Sequence, residues 1–140
     1  GTREASGVDS GSGKELWNPQ SHIPSRNSFS LGEQLRAGDI LVSENDIYTL
    51  VFQHDDNLVL YERSNPIWNS GTFDLDRRHK YGISLTEQGS LLLQNWDGSS
   101  KFVIVPPHPS YKGKASLSVT NNGEIIIRGD NNIELWNSKE

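Results

Sequence analysis

The 140-residue chain contains no cysteine, which excludes disulfides, thiolate metal sites and cysteine nucleophiles. It also has no apolar run long enough to cross a membrane and no visible signal peptide. Positive charge is scarce, because 13 Lys and Arg residues stand against 18 Asp and Glu, for a net charge of −5. A surface for nucleic acid or anionic membranes needs a basic patch, so we expect neither partner.

Hydrophobic residues make up only 33% of the chain, and no segment has convincing helical periodicity. Gly, Asn, Ser and Asp are plentiful, which favours many short strands joined by turns. The length suits one domain with a real core. Residues 1–14 are small and polar and predict a flexible tail or linker, which leaves residues 15–140 as the folded domain.

An internal repeat organises the folded part. Its three copies are HDDNLVLYE (54–62), EQGSLLLQN (87–95) and NNGEIIIRG (121–129). Each copy is a polar turn followed by three aliphatic residues, and an alternating strand precedes it, so each predicts a β-hairpin. Asp56, Gly89 and Gly123 are equivalent, at spacings of 33 and 34 residues, and suit a turn with positive φ.

The complete repeats cover about residues 28–72, 73–105 and 106–138. Trp68 and Trp136 follow the first and third hairpins in matching segments, and Phe102 is the expected filler in the middle repeat. A further copy, Leu16-Trp17-Asn18, lies out of period. One large side chain per sheet suits a shared core, so we predict Trp17, Trp68, Trp136 and Phe102 to be structural. The chain is predicted to be all-β, with three antiparallel four-stranded sheets in approximate threefold symmetry.

Alternate residues of the first hairpin form the series Gln53, Asp55, Asn57, Val59 and Tyr61. This series resembles the sugar-site signature Gln-x-Asp-x-Asn-x-Val-x-Tyr of the monocot, or bulb-type, mannose-binding lectins, which have the β-prism II fold. The segments Pro66-Ile67-Trp68 and 32–38 also resemble that family, and the likeness covers about residues 28–138. It implies a mannose-specific lectin that is not an enzyme, needs no cofactor and has mannose-containing glycans as partners.

The resemblance also implies a role for each residue of the series. Asp55 and Asn57 would hold the axial 2-hydroxyl of mannose, Gln53 the 3-hydroxyl and Tyr61 the 4-hydroxyl, while Val59 would pack against the ring. Alternate strand residues lie on one face about 6 to 7 Å apart, which is the scale of a pyranose ring. Asp accepts hydrogen bonds and Asn donates them, so an epimer would leave these groups unpaired at roughly 1–3 kcal/mol each.

The other two repeats depart from the signature. At the equivalent positions the second has Thr86, Gln88, Ser90, Leu92 and Gln94, and the third has Thr120, Asn122, Glu124, Ile126 and Arg128. We therefore predict a single sugar site. Plant relatives often carry a disulfide whose positions correspond to Asp56 and Tyr81 here, so the resemblance is to a non-plant member.

Several alternatives stay open. The chain could be a lectin-fold protein that has lost sugar binding and acts through protein contacts, or a binding module of a larger bacteriocin or cell-wall protein. Trp96, in a predicted turn, is either a secondary sugar contact or a cap on the core. His54-Asp55-Asp56 offers three metal ligands, but adjacent strand residues face opposite sides, so no metal site is predicted.

Assembly and location are also expectations. Family dimers exchange the C-terminal strand, and residues 129–140 could do so here, giving a homodimer. We expect a secreted or extracellular protein, with a cytoplasmic location as the alternative because there is no cysteine and no visible signal peptide. Arg128-Gly129-Asp130 is an adhesion-type tripeptide, but three letters alone are a weak pattern.

Overall fold

The computed structural model describes residues 26–73 and 80–140. This part of the chain forms twelve short strands: β1 (Ser28–Ser30), β2 (Gln34–Arg36), β3 (Ile40–Val42), β4 (Tyr48–Phe52), β5 (Leu58–Glu62), β6 (Asn65–Asn69), β7 (Tyr81–Leu85), β8 (Leu91–Asn95), β9 (Ser100–Val105), β10 (Ser116–Val119), β11 (Ile125–Arg128) and β12 (Glu134–Asn137). A 3₁₀ turn spans Asp130–Asn132. No helix among the described residues is long and apolar enough to span a membrane. The predicted tail and Trp17 lie outside the described residues.

The strands form three four-stranded sheets, as predicted. The first sheet has the order β3-β4-β5-β6, the second β2-β7-β8-β9 and the third β1-β10-β11-β12, with antiparallel pairing throughout. The hairpins β4–β5, β7–β8 and β10–β11 match the three sequence repeats. The short strands β1, β2 and β3 are consecutive in the chain, yet each joins a different sheet. The segment of about 15 residues that they occupy therefore ties the sheets together.

The core lies between the inner faces of the sheets. Each central hairpin contributes aliphatic side chains that are buried there: Leu50 and Leu60 from the first sheet, Ile83 and Leu93 from the second, and Leu117 and Ile127 from the third. Leu58, at the start of β5, is also fully buried. Burial of one aliphatic side chain contributes about 1.5–3 kcal/mol. A single sheet cannot bury its own apolar face, so the three sheets are stable only when they pack together.

The hairpin turns show the predicted equivalence. Asp56, Gly89 and Gly123 all have positive φ, at 69°, 74° and 78°. A Cβ on Gly89 would lie 2.7 Å from Leu135 Cδ1, and one on Gly123 would lie 2.7 Å from Tyr48 Cε1. The turn of the second sheet therefore packs on the third sheet, and the turn of the third packs on the first.

Trp68 and Trp136 are partly buried and pack against the core, as predicted. Their ring centroids lie 5.9 Å apart in an edge-to-face arrangement, so they join the first and third sheets. The prediction for Phe102 is wrong, because this side chain is 47% exposed. Strand β9 shifts register between Leu91 and Leu92, which leaves Ile104 as an extra residue. This bulge turns the edge strand, and Ile104 packs against the core where Phe102 was expected.

Candidate functional site

The turn between β4 and β5 holds the start of the predicted sugar-binding series. Gln53 N–H donates to the Asn57 carbonyl at 2.9 Å, and Asp56 N–H donates to the Gln53 carbonyl at 3.0 Å. The left-handed backbone at Asp56 lets the chain reverse within these few residues. Asp55 Oδ1 accepts a hydrogen bond from the Asn57 N–H at 3.0 Å, so the side chain of Asp55 is held beside Asn57.

Asn57 is oriented by the segment that follows β6. Its Oδ1 accepts from Ser70 Oγ at 3.1 Å and from the Thr72 N–H at 3.2 Å. Thr72 is itself fixed, because its hydroxyl donates to the Asp56 carbonyl at 2.6 Å. Within residues 26–73 and 80–140, the Asn57 Nδ2 group has no hydrogen-bond partner. The amide oxygen is thus used by the protein, and the amide donor is left for a ligand.

Gln53 and Tyr61 form a second polar pair. Gln53 Nε2 donates to the Tyr61 hydroxyl oxygen at 2.5 Å, and both side chains are partly buried. This bond leaves the Gln53 carbonyl oxygen as an acceptor and the Tyr61 hydroxyl proton as a donor. Groups of both kinds are what a sugar hydroxyl needs, because each hydroxyl donates one hydrogen bond and accepts others.

A cleft of about 430 Å³ lies between β5 and β6. Four residues of the predicted series line it: Gln53, Asn57, Val59 and Tyr61. Asp55 is not among the lining residues, but its hydrogen bond to the Asn57 N–H places its carboxylate next to one of them. The opposite wall is residues 66–69. This volume lies within the range of small-molecule sites and is large enough for a single sugar ring.

The sequence pattern missed several residues of the site. Asn69 lines the cleft because it is the register partner of Val59, and Ser70 and Thr72 orient Asn57. Trp68 was assigned only to the core, yet it also lines the cleft. Ser70 and Thr72 are visible in the sequence as two hydroxyl residues soon after Trp68. Only the pairing of β6 with β5 shows that they lie beside Asn57.

The equivalent hairpin of the second sheet uses its polar groups internally. Thr86 Oγ1 accepts from the backbone N–H groups of Gln88 and Ser90 at 3.3 and 3.2 Å. Ser90 stands where the first sheet has Asn57, and its hydroxyl donates to the Val105 carbonyl at 2.7 Å. Leu92 pairs with Val103, which is 48% exposed, so the outer face of this sheet is apolar.

The third sheet also satisfies its own groups. Glu124 stands in the place of Asn57, and its carboxylate accepts from Asn137 Nδ2 at 2.9 Å and from Thr120 Oγ1 at 3.1 Å. The hydrogen bond from Asn137 is the largest cause that holds the pKa of Glu124 below its usual range, with partial burial acting in the opposite direction. A charged, doubly bonded carboxylate thus fills the position where the first sheet presents a free amide donor.

Trp96 lies in a turn, as predicted, and is 46% exposed. Its indole N–H donates to the Tyr81 carbonyl at 2.9 Å. The Arg36 guanidinium lies 4.2 Å from the ring centroid and Lys80 Nζ lies 5.1 Å from it. These cations lie over the ring, and a secondary sugar contact at Trp96 stays a prediction.

Metal ligands do not converge at the site. His54 is exposed, Asp55 is half-buried and Asp56 is buried, so the three adjacent side chains point in different directions. In the part of the chain that the structure describes, no group of three or more His, Asp or Glu residues is placed to hold a metal ion.

Comparisons with known proteins agree with this geometry. No protein-family model matches the chain. The B-type lectin plumieribetin of Scorpaena plumieri is 33% identical over 117 residues, which span 80% of this chain and 94% of that lectin. The chain belongs to the B-type, or bulb-type, mannose-binding lectin family. The prediction that it is not an enzyme is confirmed by this membership, and the fish relative is consistent with a non-plant member.

Plant relatives extend the match. Mannose-specific lectin 1 of Remusatia vivipara is 34% identical over 118 residues. The match covers 79% of the present chain but only 43% of the Remusatia protein. The snowdrop (Galanthus nivalis) mannose-specific agglutinin, solved with methyl-α-D-mannoside, is 25% identical with a TM-score of 0.60, covering 75% of this chain and 91% of that one. The predicted β-prism II fold is confirmed.

Proposed function

We propose that this lectin binds mannose-containing glycans without a metal ion, through the single cleft between β5 and β6. The residues that would carry binding are Gln53, Asp55, Asn57, Val59 and Tyr61. The observation that most supports the proposal is the fixed orientation of Asn57, whose Oδ1 is held by Ser70 and Thr72. A donor fixed in this way loses little freedom when a sugar binds, which favours binding.

Selectivity would come from the pairing of Asn57 with Asp55. The Asp55 carboxylate accepts from the Asn57 backbone through one oxygen, and its other oxygen has no partner among the described residues. A 2-hydroxyl placed between that oxygen and Asn57 Nδ2 could donate to the first and accept from the second. The equatorial 2-hydroxyl of a glucoside would miss both groups, and this supports specificity for mannose over glucose.

Titration with two epimeric sugars tests the proposal. We expect methyl α-mannoside to shift the amide NMR signals of Asn57 and Tyr61, with a dissociation constant on the order of millimolar for one shallow site. Methyl α-glucoside should bind at least about tenfold more weakly, because it leaves polar groups unpaired. EDTA should change neither result. Absence of shifts at tens of millimolar mannoside, or release by EDTA, would contradict the proposal.

One observation favours the alternative of a protein contact. Phe102 and Val103 on β9 are 47% and 48% exposed, and they lie where the first sheet has the β6 wall of its cleft. Neighbouring exposed apolar side chains are typical of surfaces that bind proteins. If the mannoside produces no shifts, the edge strand β9 of the second sheet becomes the leading candidate for function.

A further inference from the structure

A second cleft lies on the third sheet, away from the position equivalent to the proposed mannose site. Its volume is about 870 Å³, against about 430 Å³ for the cleft between β5 and β6. Its floor is a row across the sheet, where Ser116 pairs with both Ser30 and Arg128. Of the positions equivalent to the sugar series, only Arg128 lines this cleft. The two clefts therefore differ in place as well as in size.

An enlarged connection builds the wall of this cleft. The β5–β6 connection of the first sheet has two residues, whereas β11 and β12 are joined by the five residues 129–133. Asn131 and Asn132 both have positive φ, at 57° and 59°. Asparagine tolerates the left-handed region better than most residues. The two asparagines thus let the five-residue connection reverse direction, and both line the cleft.

Tyr111 holds this wall in place. Its hydroxyl accepts from the Asp130 N–H at 2.8 Å and donates to the Lys114 carbonyl. Gly129 packs directly on the ring, since a Cβ there would lie 2.4 Å from Tyr111 Cζ. The Arg128-Gly129-Asp130 tripeptide is therefore fastened to the body of the protein, and it forms part of the cleft instead of projecting from it. The cleft is pre-formed, which lowers the entropic cost of binding.

The charges in the cleft favour an anionic ligand. Lys114 and Arg128 line it, and no salt bridge within the described residues joins either of them to a carboxylate. Asp130 is the one acidic lining residue, and its Oδ2 lies against Gly113, where a Cβ would be 2.6 Å away. Two cationic residues therefore line the cleft, against one acidic residue whose carboxylate lies beside Gly113. Asn131, Asn132 and the two serines add groups that bind hydroxyls.

We propose that this cleft binds a sugar that carries one anionic group, either a carboxylate or a sulfate. Arg128 and Lys114 hold the anion through charge-assisted hydrogen bonds. The asparagines of the connection and the serines of the floor bind the hydroxyls of the ring. The assignment is independent of mannose binding, because no residue of the series from Gln53 to Tyr61 lines this cleft.

NMR titration of the full 140-residue chain with three sugars tests the assignment. The probes are methyl α-N-acetylneuraminide for the carboxylate, galactose 6-sulfate for the sulfate and uncharged methyl α-galactoside as the matched control. We expect at least one anionic probe to shift the amides of residues 128–132 and Lys114, and the neutral probe to leave them unchanged. The responding probe identifies which anion is bound. Absence of shifts with both anionic probes at roughly 20 mM would overturn the proposal.

Three variants separate charge recognition from non-specific contact. Arg128→Gln and Lys114→Gln should each weaken binding of the responding probe about tenfold or more. Asp130→Asn should strengthen it, because it removes the one negative charge of the lining. Lys114 is exposed, so its variant keeps the test valid if Arg128→Gln does not fold. Unchanged affinity in Lys114→Gln, or weaker binding in Asp130→Asn, would contradict the assignment.

Discussion

Replacing Asn57 by aspartate is expected to abolish measurable binding of methyl α-mannoside while the fold stays intact. The two side chains have the same shape, and aspartate keeps the oxygen that accepts from Ser70 and Thr72. The change removes the one amide donor that faces the ligand and adds a negative charge beside Asp55. The variant loses the hydrogen bond from the amide to the sugar, and it places two carboxylates side by side. Together these changes should reduce affinity on the order of a hundredfold. NMR-detected titration measures the loss, and urea unfolding checks the fold.

Asn122→Asp is the matched control for this experiment. Asn122 lies in the equivalent hairpin turn of the third sheet, is exposed, and uses its backbone rather than its side chain for hydrogen bonds. This variant makes the same chemical change and should bind the mannoside like the unmodified protein. If Asn57→Asp also retained full affinity, the cleft between β5 and β6 would not be the mannose site. Loss of binding in both variants would point to a general effect of charge.

Replacing Phe52 by alanine is expected to lower the free energy of unfolding by about 3–5 kcal/mol. Phe52 ends β4, is fully buried and belongs to the core cluster shared by the sheets. A truncated ring leaves a cavity that the surrounding side chains fill only in part. Because domains of this kind are stable by only about 5–15 kcal/mol, the variant should be close to unfolding at physiological temperature. Urea unfolding followed by fluorescence gives the change.

Phe102→Ala provides the comparison, because it makes the same substitution on an exposed side chain. With Phe102 at 47% exposure, the expected change is within about 0.5 kcal/mol, as for most surface positions. The sequence repeat alone would have assigned Phe102 to the core and predicted two similar losses. Equal destabilisation by both variants would mean that Phe102 packs in the core, as the repeat suggests, and that β9 has no bulge at Ile104.

The periodic features of the fold could be predicted from the sequence. The alternation of apolar residues and the equivalence of Asp56, Gly89 and Gly123 place three hairpins correctly, because a hairpin is determined by local strand and turn chemistry. Strands β1 to β3 could not be assigned to their sheets. Each has three residues and gains its partner only from packing between distant parts of the chain.

The candidate site was predictable in part for the same reason. The series from Gln53 to Tyr61 lies on one hairpin, so its spacing is visible in the sequence. Ser70, Thr72 and Asn69 belong to the next strand and its continuation, and the register that brings them to Asn57 and Val59 includes an irregularity at Leu60 and Tyr61. Phe102 was misplaced for a similar reason, since a bulge in an edge strand leaves no clear mark in the sequence.

The three sheets share a scaffold but differ in how their polar groups are satisfied. In the second sheet Ser90 bonds to the backbone, and in the third Glu124 is held by Asn137 and Thr120. Among these three hairpins, only the first has an amide at the position of Asn57, and its donor is used by no protein group of the described residues. The central claim is therefore that mannose has one site per chain, set by the orientation of Asn57.

A crystal soaked with methyl α-mannoside tests this claim most directly. The account predicts electron density for one sugar in the cleft between β5 and β6, with its 2-hydroxyl within hydrogen-bond distance of Asn57 Nδ2 and Asp55. The equivalent faces at Ser90 and Glu124 should remain without sugar. Density for mannoside at either of those faces, with none beside Asn57, would contradict it.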